Sequence, residues 1–297
     1  VGEEHSRVTV GGPLCTQPYS ASLLNVSAMS YGALSGNAVI SADGGIATTA
    51  IILSMTSTVQ YLLMQVRNPG DPMAEHEVRA FAQHLRCEPT AIRTWDLLRG
   101  GPDTDILDAC DIVLIGGSGD YSVVAGGAWL DSALDAMRLL HEVDKPTFAS
   151  CWGCQAMARA TGGTVVSDPQ RAEVGTHRLH LTGPGRTDPI TAPLGASFLA
   201  QMGHQDRIET LPPDAVLLAS SDLVAHQAWT FRDRRIYCTQ FHPELNLELL
   251  LDRLRCYPAY VEETTGLDYE TFVQRMCTDA RDTEDMLIRF VRHVLEN

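Results

Sequence analysis

PTFASCWGCQAMARA, residues 146–160, is the stretch on which the reading of the fold turns. PTFAS has the length and apolar content of a short buried strand, and the residues after Cys151 restart as a helix. Gly153 permits the sharp turn that joins them. The same unit recurs on either side. DIVLIGGSGD, residues 111–120, runs a buried strand (111–115) straight into glycines, and a helix is predicted over 131–143. Upstream, VQYLLMQV (59–66) reads as a strand and RNPGDP as a turn. Residues 73–86 read as a helix, with Val78, Phe81, Ala82 and Leu85 on one face. AIRTWDLL reads as another strand, and downstream strands begin near Val216, Ala225 and Arg235. Strands alternating with helices predict an α/β fold: an open, mostly parallel sheet flanked by helices.

The bulk properties narrow the function. The chain has 297 residues, 44% apolar and 20% charged, with a formal net charge of −15. That charge argues against nucleic acid and against attraction to an anionic membrane. Residues 46–66 carry no charge, but Thr48, Thr49, Ser54, Thr56, Ser57, Thr58, Gln60 and Gln65 interrupt them. A spanning helix wants about 20 predominantly apolar residues, so no membrane segment is expected. The start at Val1 lacks a secretory signal pattern. Eight scattered cysteines suit reduced thiols in a cytoplasmic protein better than a disulfide scaffold.

Three motifs sit at the ends of predicted strands, where open α/β sheets carry their sites. Cys151 lies on a strand-to-helix turn, which exposes a nucleophile, and the helix N-terminus favours its thiolate. A buried structural cysteine is the competing reading, and the turn alone does not decide between them. QFHPE (240–244) offers His242 as a base, with Glu244 two residues on to fix the ring's tautomer. GGSGD (116–120) offers backbone donors for an oxyanion, with Gly117 N–H and Trp152 N–H as the candidates. Together they make a nucleophile, its base and the base's orienter, the equipment for acyl transfer.

These motifs resemble those of the class I (triad-type) glutamine amidotransferases. The family's G-x-C-x-G-x-Q appears here as Ala149 to Gln155, with alanine for the first glycine. QFHPE matches in full, and GGSGD keeps both glycines of the family's oxyanion loop but not its proline. The resemblance spans about residues 59–246 and is strongest to the amidotransferase domain of GMP synthase. It implies a flavodoxin-like fold and a triad of Cys151, His242 and Glu244. It also implies substrate contacts from Gln155, Gly116 and, through MGHQD (202–206), His204. The substrate is then glutamine or a γ-glutamyl compound, and a separate synthase subunit takes the ammonia. Neither cofactor nor metal is expected.

Two flanking segments complete the organisation. Residues 7–41 resemble the start of the FMN-binding barrel domain of glutamate synthase. A barrel needs at least about 200 residues, so residues 1–57 are expected to be a poorly packed extension. The catalytic domain is taken as 58–246, and 247–297 as a C-terminal helical extension. Other readings stand beside this one. Cys151 and Cys154 form a C-x-x-C that suits a redox pair or, less well, zinc. An inactive glutamine-binding or regulatory module is a third.

Overall fold

Residues 59–296 are described by the computed structural model. The first half of the chain gives β1 (Tyr61–Gln65), α1 (Met73–Leu85), β2 (Ile92–Asp96), α2 (Thr104–Asp108), β3 (Ile112–Ile115), α3 (Ala128–Glu142), β4 (Thr147–Ser150) and α4 (Trp152–Ala160). A run of strands follows, antiparallel up to its last member: β5 (Thr164–Ser167), β6 (Glu173–Leu181), β7 (Ser197–His204), β8 (Asp206–Thr210), β9 (Ala215–Ser220), β10 (Ala228–Phe231) and then β11 (Ile236–Thr239), which rejoins the parallel set. The chain then continues in α5 (Leu247–Arg255), α6 (Pro258–Thr265), α7 (Tyr269–Met276) and α8 (Met286–Glu296).

Nine strands form one sheet in the order β2-β1-β3-β4-β11-β10-β9-β6-β7. Strands β2, β1, β3, β4 and β11 run parallel. Strands β10, β9, β6 and β7 extend the sheet antiparallel. The predicted open, mostly parallel sheet is therefore borne out. Strand β1 shows why its sequence is continuously apolar. Leu62 and Met64 enter one core with residues of α3 and α4, while Tyr61 and Leu63 enter another with residues of α1 and α8. A parallel strand covered on both faces has no polar side to show.

The C-terminal helices share these cores. Phe290 of α8 meets Phe148 of β4 edge-on, with ring centroids 5.3 Å apart. Leu249, Leu250 and Leu254 of α5 pack in a third cluster with Ala80, Val174, Leu245, Val261 and Phe272.

The sequence pattern did not announce β5 to β8, nor α2 and α6. Strand β6 explains the difficulty: EVGTHRLHL mixes charged residues and histidines with apolar ones and is only partly buried along its middle. The expectations for residues 1–57 fall outside the described residues. Of the uncharged stretch 46–66, the described part holds the five-residue strand β1. No helix among the described residues is long and apolar enough to cross a membrane.

Candidate active site

The order of strands in the sheet puts β1 between β2 and β3, so the loops after β1, β3 and β4 converge at the carboxyl ends of the parallel strands. Cys151 follows β4 directly and caps the N-terminus of α4. Its backbone sits at φ 51, ψ −106, a conformation that a side chain adopts only under strain. Two hydrogen bonds hold it there. Cys151 N–H donates to the Thr239 carbonyl at 2.8 Å, and Gln155 N–H donates to the Cys151 carbonyl at 3.1 Å. The sulfur lies 3.9 Å from the Gly203 carbonyl.

His242 stands on the loop after β11, with its N–H donated to the Gln201 carbonyl of β7. Its Nδ1 is 2.7 Å from Glu244 Oε1. Both side chains are buried. A proton on Nδ1 donated to the carboxylate leaves Nε2 as the bare nitrogen. Gly117 joins the two halves of the site: a Cβ there would stand 3.1 Å from His242 Cε1 and 3.7 Å from Cys151 Cβ. The three sequence-predicted residues and the candidate oxyanion glycine thus share one locus.

The glycine loop is fixed from below. Gly153 N–H donates to the Gly116 carbonyl at 3.1 Å, which turns the Gly117 N–H of the same trans peptide the opposite way. Arg67 Nη2 donates to the Gly117 carbonyl at 3.1 Å and to Glu77 Oε1 at 3.3 Å. Gln65 Nε2 donates to Glu77 Oε2 at 2.9 Å.

Gly116, Gln155 and His204 do not reach outward as expected. A Cβ on Gly116 would meet Glu77 Oε1 at 2.0 Å, so this glycine makes room for a buried carboxylate. Gln155 Nε2 is committed to the Asp206 carbonyl at 2.8 Å and to Gln240 Oε1 at 3.1 Å. His204 is buried, with Nε2 3.2 Å from Glu173 Oε2 and Nδ1 3.0 Å from the Asp206 carbonyl. Both residues brace the turn between β7 and β8, behind the carbonyl that faces the sulfur.

The electrostatics describe a resting site. Burial pushes the Cys151 thiol up to about 12, with Glu244 and Cys154 pushing the same way; Arg253 and the Trp152 N–H pull against them. The thiolate expected from the helix N-terminus is therefore outweighed by desolvation. Burial also lowers the His242 imidazole, assisted by Arg253, and Glu244 does not reverse it. Burial alone would raise the Glu244 carboxyl; His242 and then Arg253 outweigh it and hold it to about 2. The rest state is a thiol, a neutral imidazole and a carboxylate.

Cys154 does not face its neighbour in the manner of a redox pair. It is fully buried in the core and accepts the Trp229 indole N–H at 3.2 Å. Among the described residues no group of histidine, cysteine, aspartate and glutamate is arranged to hold a metal.

Sequence reasoning missed Arg67, Glu77 and Arg253. Glu77 had a signal: it lies on the Phe81 and Leu85 stripe of α1, where a carboxylate is costly unless paired. Arg253 had none, since it sits in an ordinary amphipathic helix.

Comparison with known proteins finds relatives in sequence and in fold. Gamma-glutamyl peptidase 3 of Arabidopsis thaliana is 28% identical over 167 residues, which cover 53% of this chain and 66% of that protein. A subunit of the glutamine-hydrolysing GMP synthase of Thermoplasma volcanium is 32% identical over 131 residues, 42% of this chain and 63% of that one. The chain spans less than two-thirds of the length of these curated relatives. The fold matches the crystal structure of a glutamine amidotransferase from Thermotoga maritima at a TM-score of 0.61 and 16% identity, covering 80% of this chain and 99% of that one. The family model for glutamine amidotransferase class-I matches residues 81–250, more than half of the chain. The chain belongs to the class I glutamine amidotransferases, a family of cysteine-nucleophile amide hydrolases.

Proposed function

We propose that this chain hydrolyses the side-chain amide of glutamine through a glutamyl thioester on Cys151. The observation that carries the reading is the strained Cys151 at the head of α4, sharing the Gly117 locus with a His242 that Glu244 orients at 2.7 Å. In this mechanism the thiol passes its proton to His242 Nε2 as sulfur attacks the amide carbon. The tetrahedral oxyanion is met by Gly117 N–H and Trp152 N–H. Its collapse breaks the C–N bond, His242 returns the proton to the leaving nitrogen, and ammonia departs. Water, deprotonated by His242, then attacks the thioester; glutamate leaves and the thiol is restored. A thiol that rests protonated needs its base in place, and proton transfer and attack are then coupled.

Relatives named as subunits of a glutamine-hydrolysing GMP synthase support delivery of the ammonia to a separate synthase subunit. The Arabidopsis relative supports a second reading, cleavage of a γ-glutamyl peptide by the same thioester chemistry. In both readings the triad lies within the proposed catalytic domain, residues 58–246, and helices α5 to α8 share its cores. Ammonia release from glutamine, run beside amino acid release from a γ-glutamyl dipeptide, separates the two. Wild type turns over at least one of them, and Cys151→Ala turns over neither. Equal rates in wild type and Cys151→Ala overturn the proposal.

A further inference from the structure

The family match ends at residue 250, yet the next turn of α5 enters the site. Arg253 Nη1 lies 3.3 Å from His242 Nδ1, the atom that Glu244 already holds at 2.7 Å. The same Nη1 is 3.8 Å from the position of a Cβ on Gly117. Two other guanidinium nitrogens, Nε and Nη2, are buried without a partner, and so is the second carboxylate oxygen, Glu244 Oε2. A half-buried cation and a buried carboxylate, each with unused hydrogen-bonding atoms, flank one ring nitrogen.

The arginine is held there firmly. Leu249, Leu250 and Leu254 of α5 are buried, and His76 of α1 lies with Nε2 3.1 Å from the Leu249 carbonyl. Further along the same segment, Tyr260 lies within electrostatic reach of Cys151 and Asp206, and Thr264 accepts a hydrogen bond from Gln205 at 3.0 Å.

We propose that Arg253 is a positioning residue of the triad: its guanidinium, set against the ring nitrogen that Glu244 holds, keeps His242 in the neutral form that accepts the thiol proton. The charges facing His242 explain the need. Glu244 and, from α1, Glu77 both favour imidazolium, and Arg253 opposes them. Arg67 is engaged with Glu77 and Asp71. The ionisable groups that act on Cys151 are Arg253, Glu244, Cys154 and, from α6, Tyr260. Arg253 in turn faces His76. Without the guanidinium, the ring sits between two carboxylates and holds a second proton to higher pH. This inference rests on the triad reading above, and its test has an arm that does not.

Wild type, Arg253→Gln and Arg253→Lys are compared in two measurements. The first is the pH profile of kcat and KM for ammonia release from glutamine or amino acid release from a γ-glutamyl dipeptide. The second is the pH profile of Cys151 alkylation by iodoacetamide, followed by the mass of the Cys151 peptide. For Arg253→Gln the acid limb of kcat/KM moves up by about one pH unit. The loss is then about tenfold at pH 6 and much smaller at pH 8, with KM within twofold. Alkylation slows, and its midpoint moves up. Arg253→Lys, which keeps the charge, recovers most of the acid limb. Profiles parallel to wild type in Arg253→Gln, whatever the size of a uniform loss, overturn the proposal. If wild type acts on neither substrate, the triad reading fails, and the alkylation profile alone still decides for or against Arg253.

Discussion

Two adjacent glycines are predicted to fail in opposite ways. Neither Gly116 nor Gly117 has a positive φ, so alanine suits the backbone at both, and the difference lies in what each Cβ meets. At Gly116 the new carbon lands 2.0 Å from Glu77 Oε1 and 2.7 Å from its Cδ. Glu77 has no solvent to retreat into: it is fully buried and holds both Gln65 and Arg67. Displacing one member of such a buried pair costs about 3–5 kcal/mol, a large part of the roughly 5–15 kcal/mol of a whole fold. At Gly117 the new carbon stands 3.1 Å from His242 Cε1, which a shift of a few tenths of an ångström relieves. That shift costs about 1 kcal/mol in stability, but it moves the base. Misplaced catalytic groups lose up to roughly a hundredfold in rate. Urea unfolding and substrate turnover, measured on both variants, read the two effects separately. Gly116→Ala loses its urea midpoint first, and Gly117→Ala loses kcat while keeping its midpoint. Gly116→Ala within 1 kcal/mol of wild type, or Gly117→Ala as the less stable of the two, would refute the reasoning.

Glu244→Gln keeps the shape of the orienter and removes its charge; kcat falls by roughly a hundredfold or more with KM little changed, as in other triads. A kcat within threefold of wild type removes Glu244 from the mechanism. His76 is fully buried, and burial, followed by the charges of Arg253 and Arg79, lowers its pKa to about 4. Because the folded value lies below the unfolded one of about 6.5, the fold loses stability as pH falls from 6.5 towards 4, by up to about 3 kcal/mol, and loses nothing from this group above pH 7. His76→Gln flattens that part of the stability curve measured by chemical unfolding; an unchanged slope contradicts the assignment. Phe290→Ala opens a cavity against Phe148 and costs about 3–5 kcal/mol in the same assay. A loss under 1 kcal/mol would mean that α8 is not part of the sheet's core.

The parallel half of the sheet was legible because strands buried on both faces are written in uninterrupted apolar residues, as YLLMQ and IVLI are. Of the antiparallel half, β9 and β10 were legible, whereas β6 and β7 were not. Strands β6 and β7 carry polar residues on a partly exposed face, and much of their burial is polar: Glu173, Gln201 and His204 are satisfied by one another's neighbourhood rather than by apolar packing. The proposed nucleophile, base and orienter could be picked out because that chemistry requires fixed residue types at the ends of strands. The supports were not, because a support is defined by what it touches. Glu77 matters through Gly116 and Arg67, which lie in other elements. Arg253 reads as one more charged residue of α5 until the fold brings His242 against it. His204 shows the reverse error: a histidine in a suggestive motif, which the structure seals behind Glu173.

The central claim is a covalent glutamyl group on Cys151, and mass spectrometry of the acid-quenched enzyme measures it directly. Glutamine and a γ-glutamyl dipeptide differ only in the leaving group, so either substrate leaves the same acyl group on the sulfur. During turnover the peptide containing Cys151 gains the mass of one glutamyl residue, and Cys151→Ala gains nothing. Product formed without that adduct, or with the glutamyl mass on another residue, would contradict the account.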